Sequence, residues 1–214
     1  LVECGNGAEG AAAGRVGSRV VMEEIGIVLV VAVLAIAAGF WIRQLEVSSV
    51  DGVLRSIAER RGLHLEANSG AFESGSCARG KIDGVLVEVR PTYRRRGRHR
   101  RWFVRVSAKL ATQASARVEV RTRGVMDFVR AWIAEEVAIE PTFDAHAQVL
   151  SEDAVVARQC VDERVRHAFL AFPDSGVLAW DGDEVSLEWR GRPRDDVKIE
   201  RAIEVVLAAA RAAG

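Results

Sequence analysis

From Ile25 to Ile42 the chain carries eighteen consecutive residues without a charge or a strongly hydrogen-bonding side chain. At about 1.5 Å per residue a helix of that length spans ~27 Å, close to the ~30 Å hydrocarbon core of a bilayer. Eleven of the eighteen are Ile, Val, Leu or Phe, and each favours insertion by roughly 0.3 to 0.6 kcal/mol near the helix centre. Glu23 and Glu24 close one end, Trp41 stands at interface depth, and Arg43 and Gln44 close the other. The run therefore reads as one transmembrane helix, an uncleaved anchor. An amino-terminal signal peptide would have a shorter apolar stretch, about 7 to 15 residues, behind a basic flank.

The anchor divides the chain. Residues 1–24 are rich in Gly and Ala without an apolar period, which predicts disorder; Met22 also marks a second candidate start for the protein. Residues 43–214 suffice for one soluble domain with a genuine core, and two similar halves, about 43–133 and 134–214, are conceivable within it. The basic residues Arg43, Arg55, Arg60 and Arg61 follow the anchor, so the positive-inside rule favours a cytoplasmic carboxyl domain. The expected location is the bacterial inner membrane, crossed once. Three widely spaced cysteines (Cys4, Cys77 and Cys160) show neither metal-ligand spacing nor a disulfide framework.

Past the anchor, Val50, Val53, Leu54, Ile57 and Ala58 recur at helical spacing, with Gly62 as terminator. Leu63 and Leu65 begin a short strand. Asp83-Gly84 is a two-residue hairpin signal between a strand near Cys77 to Ile82 and another from Val85 to Tyr93. Arg94 to Arg100 read as the tip of a second hairpin that returns along Trp102 to Leu110. Val118 and Val120 mark another strand, and Met126 to Ile133 a helix with a broad apolar face. Phe143, Ala145, Ala147 and Val149 alternate with polar residues as a half-buried strand. Helices over Asp153 to Cys160 and Asp162 to Phe172 follow, then a hairpin around Asp181-Gly182-Asp183 and a last helix from about Asp195. Hairpins with segregated helices give an α+β domain.

This order of parts resembles a loosely defined group of bacterial membrane-anchored proteins with an α+β domain of unassigned function. The residues that carry the likeness are Glu59 to Leu63, Gly80 to Val85, Pro141 to Asp144, Val161 to Leu170 and the Asp181-Gly182-Asp183 turn. It spans most of residues 46–210. The resemblance implies a tethered domain and brings no catalytic residues with it.

The most unusual stretch of the domain is basic. Arg90, Arg94, Arg95, Arg96, Arg98, Arg100, Arg101 and Arg105 fall within sixteen residues that include no acid, beside Tyr93, Trp102 and Phe103. Arg94, Arg95, Arg96, Arg98, Arg100 and Arg101 are the candidate contacts to an anionic surface, either lipid head groups or an acidic protein. The bland reading is a solvated tip whose like charges discourage edge-to-edge pairing. A formal net charge of zero for the whole chain speaks against nucleic acid. Asp144 with His146 as metal ligands, and Cys160 with His167 as nucleophile and base, are weaker constellations that lack a third partner. No cofactor is implied. Ala35 and Gly39 form a small-xxx-small pair through which two anchors could dimerise. The sequence thus points to a single-pass, non-enzymatic protein whose domain binds a partner or an anionic membrane surface. The alternative is an enzyme with a site assembled from dispersed residues.

Overall fold

The computed structural model describes residues 31–38, 41, 50–66, 76–96, 99–123 and 134–213. The chain forms two compact units, Leu1–Glu46 and Val47–Gly214. In the first unit, residues 31–38 and Trp41 are helical, and Val31, Val33, Leu34, Ile36 and Trp41 are exposed. Among the described residues no helix is long and apolar enough to cross a membrane. The rest of the expected anchor (25–30, 39–40 and 42) lies outside the described residues, as does Gly39 of the proposed dimer pair.

The second unit is an α+β domain built on one nine-stranded, wholly antiparallel sheet. In chain order it comprises helix α1 (residues 50–61), β1 (His64–Glu66), β2 (Cys77–Ile82), β3 (Val85–Arg96), β4 (His99–Lys109) and β5 (Val118–Thr122). There follow β6 (Glu135–Glu136), the single turn α2 (Pro141–Asp144), β7 (Ala147–Ser151), α3 (Ala154–Cys160), α4 (Glu163–Leu170), β8 (Gly176–Asp181), β9 (Glu184–Arg190) and α5 (Asp196–Ala212). The strand order is β1-β2-β3-β4-β9-β8-β5-β7-β6. Strands from before and after residue 134 therefore interleave in a single sheet.

The turn chemistry explains the hairpins. Asp83 and Gly84 take φ of 50° and 84°, the left-handed pair that a two-residue turn between twisted strands requires. Gly62 stops α1 at φ 66°, a conformation that costs glycine nothing. Asp153, Asp162 and Asp195 each accept hydrogen bonds from first-turn amides of α3, α4 and α5, which stabilises a helix start by about 1 kcal/mol.

Packing follows the two-residue period of the strands. The register aligns Ala78, Val89, Val106, Leu187, Leu178, Val120 and Val149 in one apolar row across the sheet, and all of them are buried. Over this face lies α5, which buries Ile199, Ile203, Val205, Val206 and Leu207 among others. At roughly 2 kcal/mol per buried aliphatic side chain, those five residues alone contribute on the order of 10 kcal/mol before entropy. Trp180, fully buried, donates its indole N–H to the Ala209 carbonyl of α5 at 3.3 Å. Helix α1 is clamped to α5 by ion pairs from Arg60 to Asp196 and from Arg61 to Glu200.

The structure differs from the sequence reading in two places. The segment from Phe143 to Val149 is not one strand. Pro141, at the first helical position, presets a helical φ, and the Asp144 carboxylate folds back to accept from the Ile139 and Glu140 amides, each at 3.1 Å. Strand pairing starts only at Ala147. The hairpin expected with its tip at Arg94 to Arg100 is present, but its strands reach further into that segment, because β3 runs to Arg96 and β4 begins at His99. The helix expected over 126–133 lies outside the described residues.

Candidate functional site

The arginine segment is a two-stranded ribbon that runs past the body of the sheet. On one side, β2 pairs with β3 only as far as Ala78↔Val89. On the other, β9 pairs with β4 only from Phe103↔Arg190 onward. Beyond these limits β3 and β4 continue with each other alone, through Tyr93↔Trp102, Arg94↔Arg101, Arg95↔Arg100 and Arg96↔His99. Four residue pairs at about 3.4 Å per residue make an extension of roughly 14 Å. Pro91 stands where β3 loses β2 and becomes an edge, the place in a sheet where a residue without an N–H is tolerated.

The root of the ribbon is fixed to the domain. Trp102 packs against the core, and its carbonyl accepts from the Gly191 amide at 3.0 Å in the segment leading to α5. Arg90 and Arg105, the outermost arginines of the cluster in sequence, are paired within the sheet: Arg90 with Glu88 at 2.7 Å and Arg105 with Glu184 at 2.9 Å. Further out the register sets arginine opposite arginine twice in succession, at 94↔101 and 95↔100. Like charges directly opposite one another oppose strand pairing, so these positions work against the fold that holds them. Arg101 is exposed. Arg98 lies outside the described residues.

The other constellations separate. Asp144 is occupied in its helical turn, and His146 Nδ1 lies 3.0 Å from the Thr142 carbonyl. No group of three or more His, Cys, Asp or Glu among the described residues is placed to hold a metal ion. Cys160 is buried and burial pushes its thiol up, away from the thiolate that a nucleophile needs. His167 is on the exposed side of α4. Cys77 is likewise raised, first by burial and then by Glu88 and Glu66.

One cluster escaped the sequence reading. Glu119 in β5 is buried, with its side chain only 2% exposed, and it pairs closely with Arg121 and at 3.8 Å with Arg117. The alternation of Val118 and Val120 assigns Glu119 to the solvent face, and no local signal marks it as covered.

The fold and the ribbon together define an α+β domain with a large antiparallel sheet, helices over one face and a basic finger beyond its edge. No family model matches the chain, and no curated protein matches it in sequence. Among solved structures, it is similar to the crystal structure of the mycobacterial trehalose monomycolate transport factor A, TtfA. The two agree with a TM-score of 0.57 at 14% sequence identity, over 76% of this chain and 93% of that one. At that identity the likeness shows the fold.

Proposed function

We propose that this chain is a membrane-tethered, non-enzymatic accessory protein whose α+β domain binds a partner at the bilayer surface, in support of a transport process. The charge-free run over residues 25–42, directly ahead of the compact unit Val47–Gly214, carries the reading. The fold shared with a protein described as a transport factor supports the accessory role. The arginines after the run support a domain on the cytoplasmic side.

Fractionation tests the tether. The full chain is expected in the membrane pellet after detergent-free lysis and high-salt washing, and a fragment starting at Glu46 in the supernatant. A full chain that stays in the supernatant after high-speed centrifugation sinks the proposal.

A further inference from the structure

We infer that the β3–β4 ribbon is the element by which the domain engages the anionic phospholipid head groups of its own bilayer. Three observations lead there. The ribbon leaves the sheet as an extension of about 14 Å, whereas the apolar row that builds the core ends with the strands that flank it. Its register sets arginine opposite arginine twice, at Arg94↔Arg101 and Arg95↔Arg100, which gathers like charge on one ribbon. From Arg90 to Arg105 there are eight arginines and no acid, in a chain whose formal net charge is zero. The positive charge is concentrated on this finger.

Among anionic partners, phospholipid is the one that the tether supplies. Residues 43–49 separate the apolar run from α1. At no more than about 3.6 Å per residue, those peptide links reach less than ~30 Å. The domain is thus confined within a few nanometres of the head groups, where even weak attraction acts at high effective concentration. Guanidinium groups suit phosphate because their planar fork donates two parallel hydrogen bonds. Tyr93 and Trp102, paired at the root of the extension, are the residue types that settle at a membrane interface. This inference takes its geometry from the tethered reading, but the binding it asserts belongs to the domain alone.

The experiment therefore uses the fragment starting at Glu46, whose buried core lies entirely within Val47–Gly214. It is titrated with vesicles of equal parts phosphatidylglycerol and phosphatidylcholine, and with vesicles of phosphatidylcholine only, at low and high salt. Binding is expected to the mixed vesicles alone and to weaken steeply with salt, because the attraction extends about one Debye length. Each arginine near the surface is worth roughly fivefold in affinity. Replacing Arg94, Arg95, Arg100 and Arg101 with Ser should therefore weaken binding by about several hundredfold, whereas Lys at the same four positions should retain most of it. The Lys variant keeps the charge and the fold, so its comparison with the Ser variant isolates charge from folding.

Unchanged vesicle binding by a folded Ser variant overturns the inference, as does failure of the unaltered fragment to bind the mixed vesicles. Tighter binding to polyglutamate or to single-stranded nucleic acid than to vesicles also overturns it, in favour of that partner class. Vesicle binding that persists while the full chain proves soluble would remove the tether and leave the ribbon's specificity intact. The two proposals therefore fail separately.

Discussion

Replacing Glu119 with Ala should be among the most damaging single changes in the domain. The carboxylate is 2% exposed, and its close partner Arg121 is 17% exposed. The second partner, Arg117, sits 3.8 Å away and is 42% exposed, so solvent screens most of its attraction and it adds little. The pair that matters is Glu119 with Arg121. Its worth lies less in net attraction than in what remains when half of it is removed. A guanidinium without its counter-ion in a nearly closed site costs about 3 to 5 kcal/mol. For a domain of this size 1 kcal/mol moves the midpoint by about 2 to 4 °C, so Glu119→Ala should lower Tm by roughly 6 to 20 °C. Glu119→Gln, which keeps an acceptor for Arg121, should cost less, about 1 to 2 kcal/mol. The double variant Glu119→Leu with Arg121→Leu should recover most of the loss, since two apolar residues leave no orphaned charge. Thermal and urea denaturation of the fragment starting at Glu46 measures all three. A loss below about 0.5 kcal/mol for Glu119→Ala, typical of an open surface site, would falsify the argument, as would a double variant less stable than either single one.

Other expectations follow from the ribbon, the loops and the sheet edge. Thr at Arg94, Arg95, Arg100 and Arg101 removes two like-charge pairs and should stabilise the domain by about 1 kcal/mol at low salt; a Tm that falls instead refutes the repulsion. Ser175 is exposed in the loop before β8, whereas Cys77 and Cys160 are buried with raised pKa values. In a chain carrying Cys4→Ser, a Ser175→Cys probe should therefore be the site that reacts with a membrane-impermeant thiol reagent, and only after lysis if the domain is cytoplasmic. Labelling in intact cells reverses the topology. Glu136 is held below its ordinary value by hydrogen bonds from Gln148 and Arg123. Its contribution is complete above the unfolded carboxylate pKa and is lost as pH falls through the lower folded value. Glu136→Gln should lower stability slightly at neutral pH and leave the acid end of the profile nearly unchanged, so that the acid limb becomes shallower; an unaltered acid limb counts against the bond.

Local chemistry was legible in this sequence and long-range placement was not. Asp83-Gly84 announced its hairpin because few residue pairs accept left-handed backbone, and Asp181-Gly182-Asp183 did so through a glycine that takes φ 61° in the turn. The helix starts at Asp153, Asp162 and Asp195 were readable for a similar reason, since short acidic side chains satisfy first-turn amides. The error at Phe143 came from trusting alternation over Pro141, whose preset φ starts a helical turn inside an apparently strand-like pattern. At Arg94 to Arg96 the expected hairpin is present and only the strand end differs, since arginine is compatible with extended backbone and β3 continues to Arg96. For the candidate site, the basic composition and the hairpin were visible, and how far its strands run beyond their neighbours β2 and β9 was not. That β4 would take β9 as its neighbour, and β5 would lie between β8 and β7, depends on pairings between distant segments that no local window contains. The burial of Glu119 is hidden for the same reason.

That sheet order has a consequence for how the protein is made. As the chain leaves the ribosome, β1 to β4 can assemble from neighbouring hairpins, but the far edge of β4 waits for β9, which follows only after β5 to β8. The helix that covers the apolar row, α5, comes later still. Until β9 and α5 have emerged, a strand edge and a row of aliphatic side chains stay open on a nascent chain, the situation in which strands pair with the wrong partner. Closure is a late event that joins the two ends of the domain. A stop codon a few residues upstream of α5 should therefore yield an aggregating chain, not a slightly weakened domain.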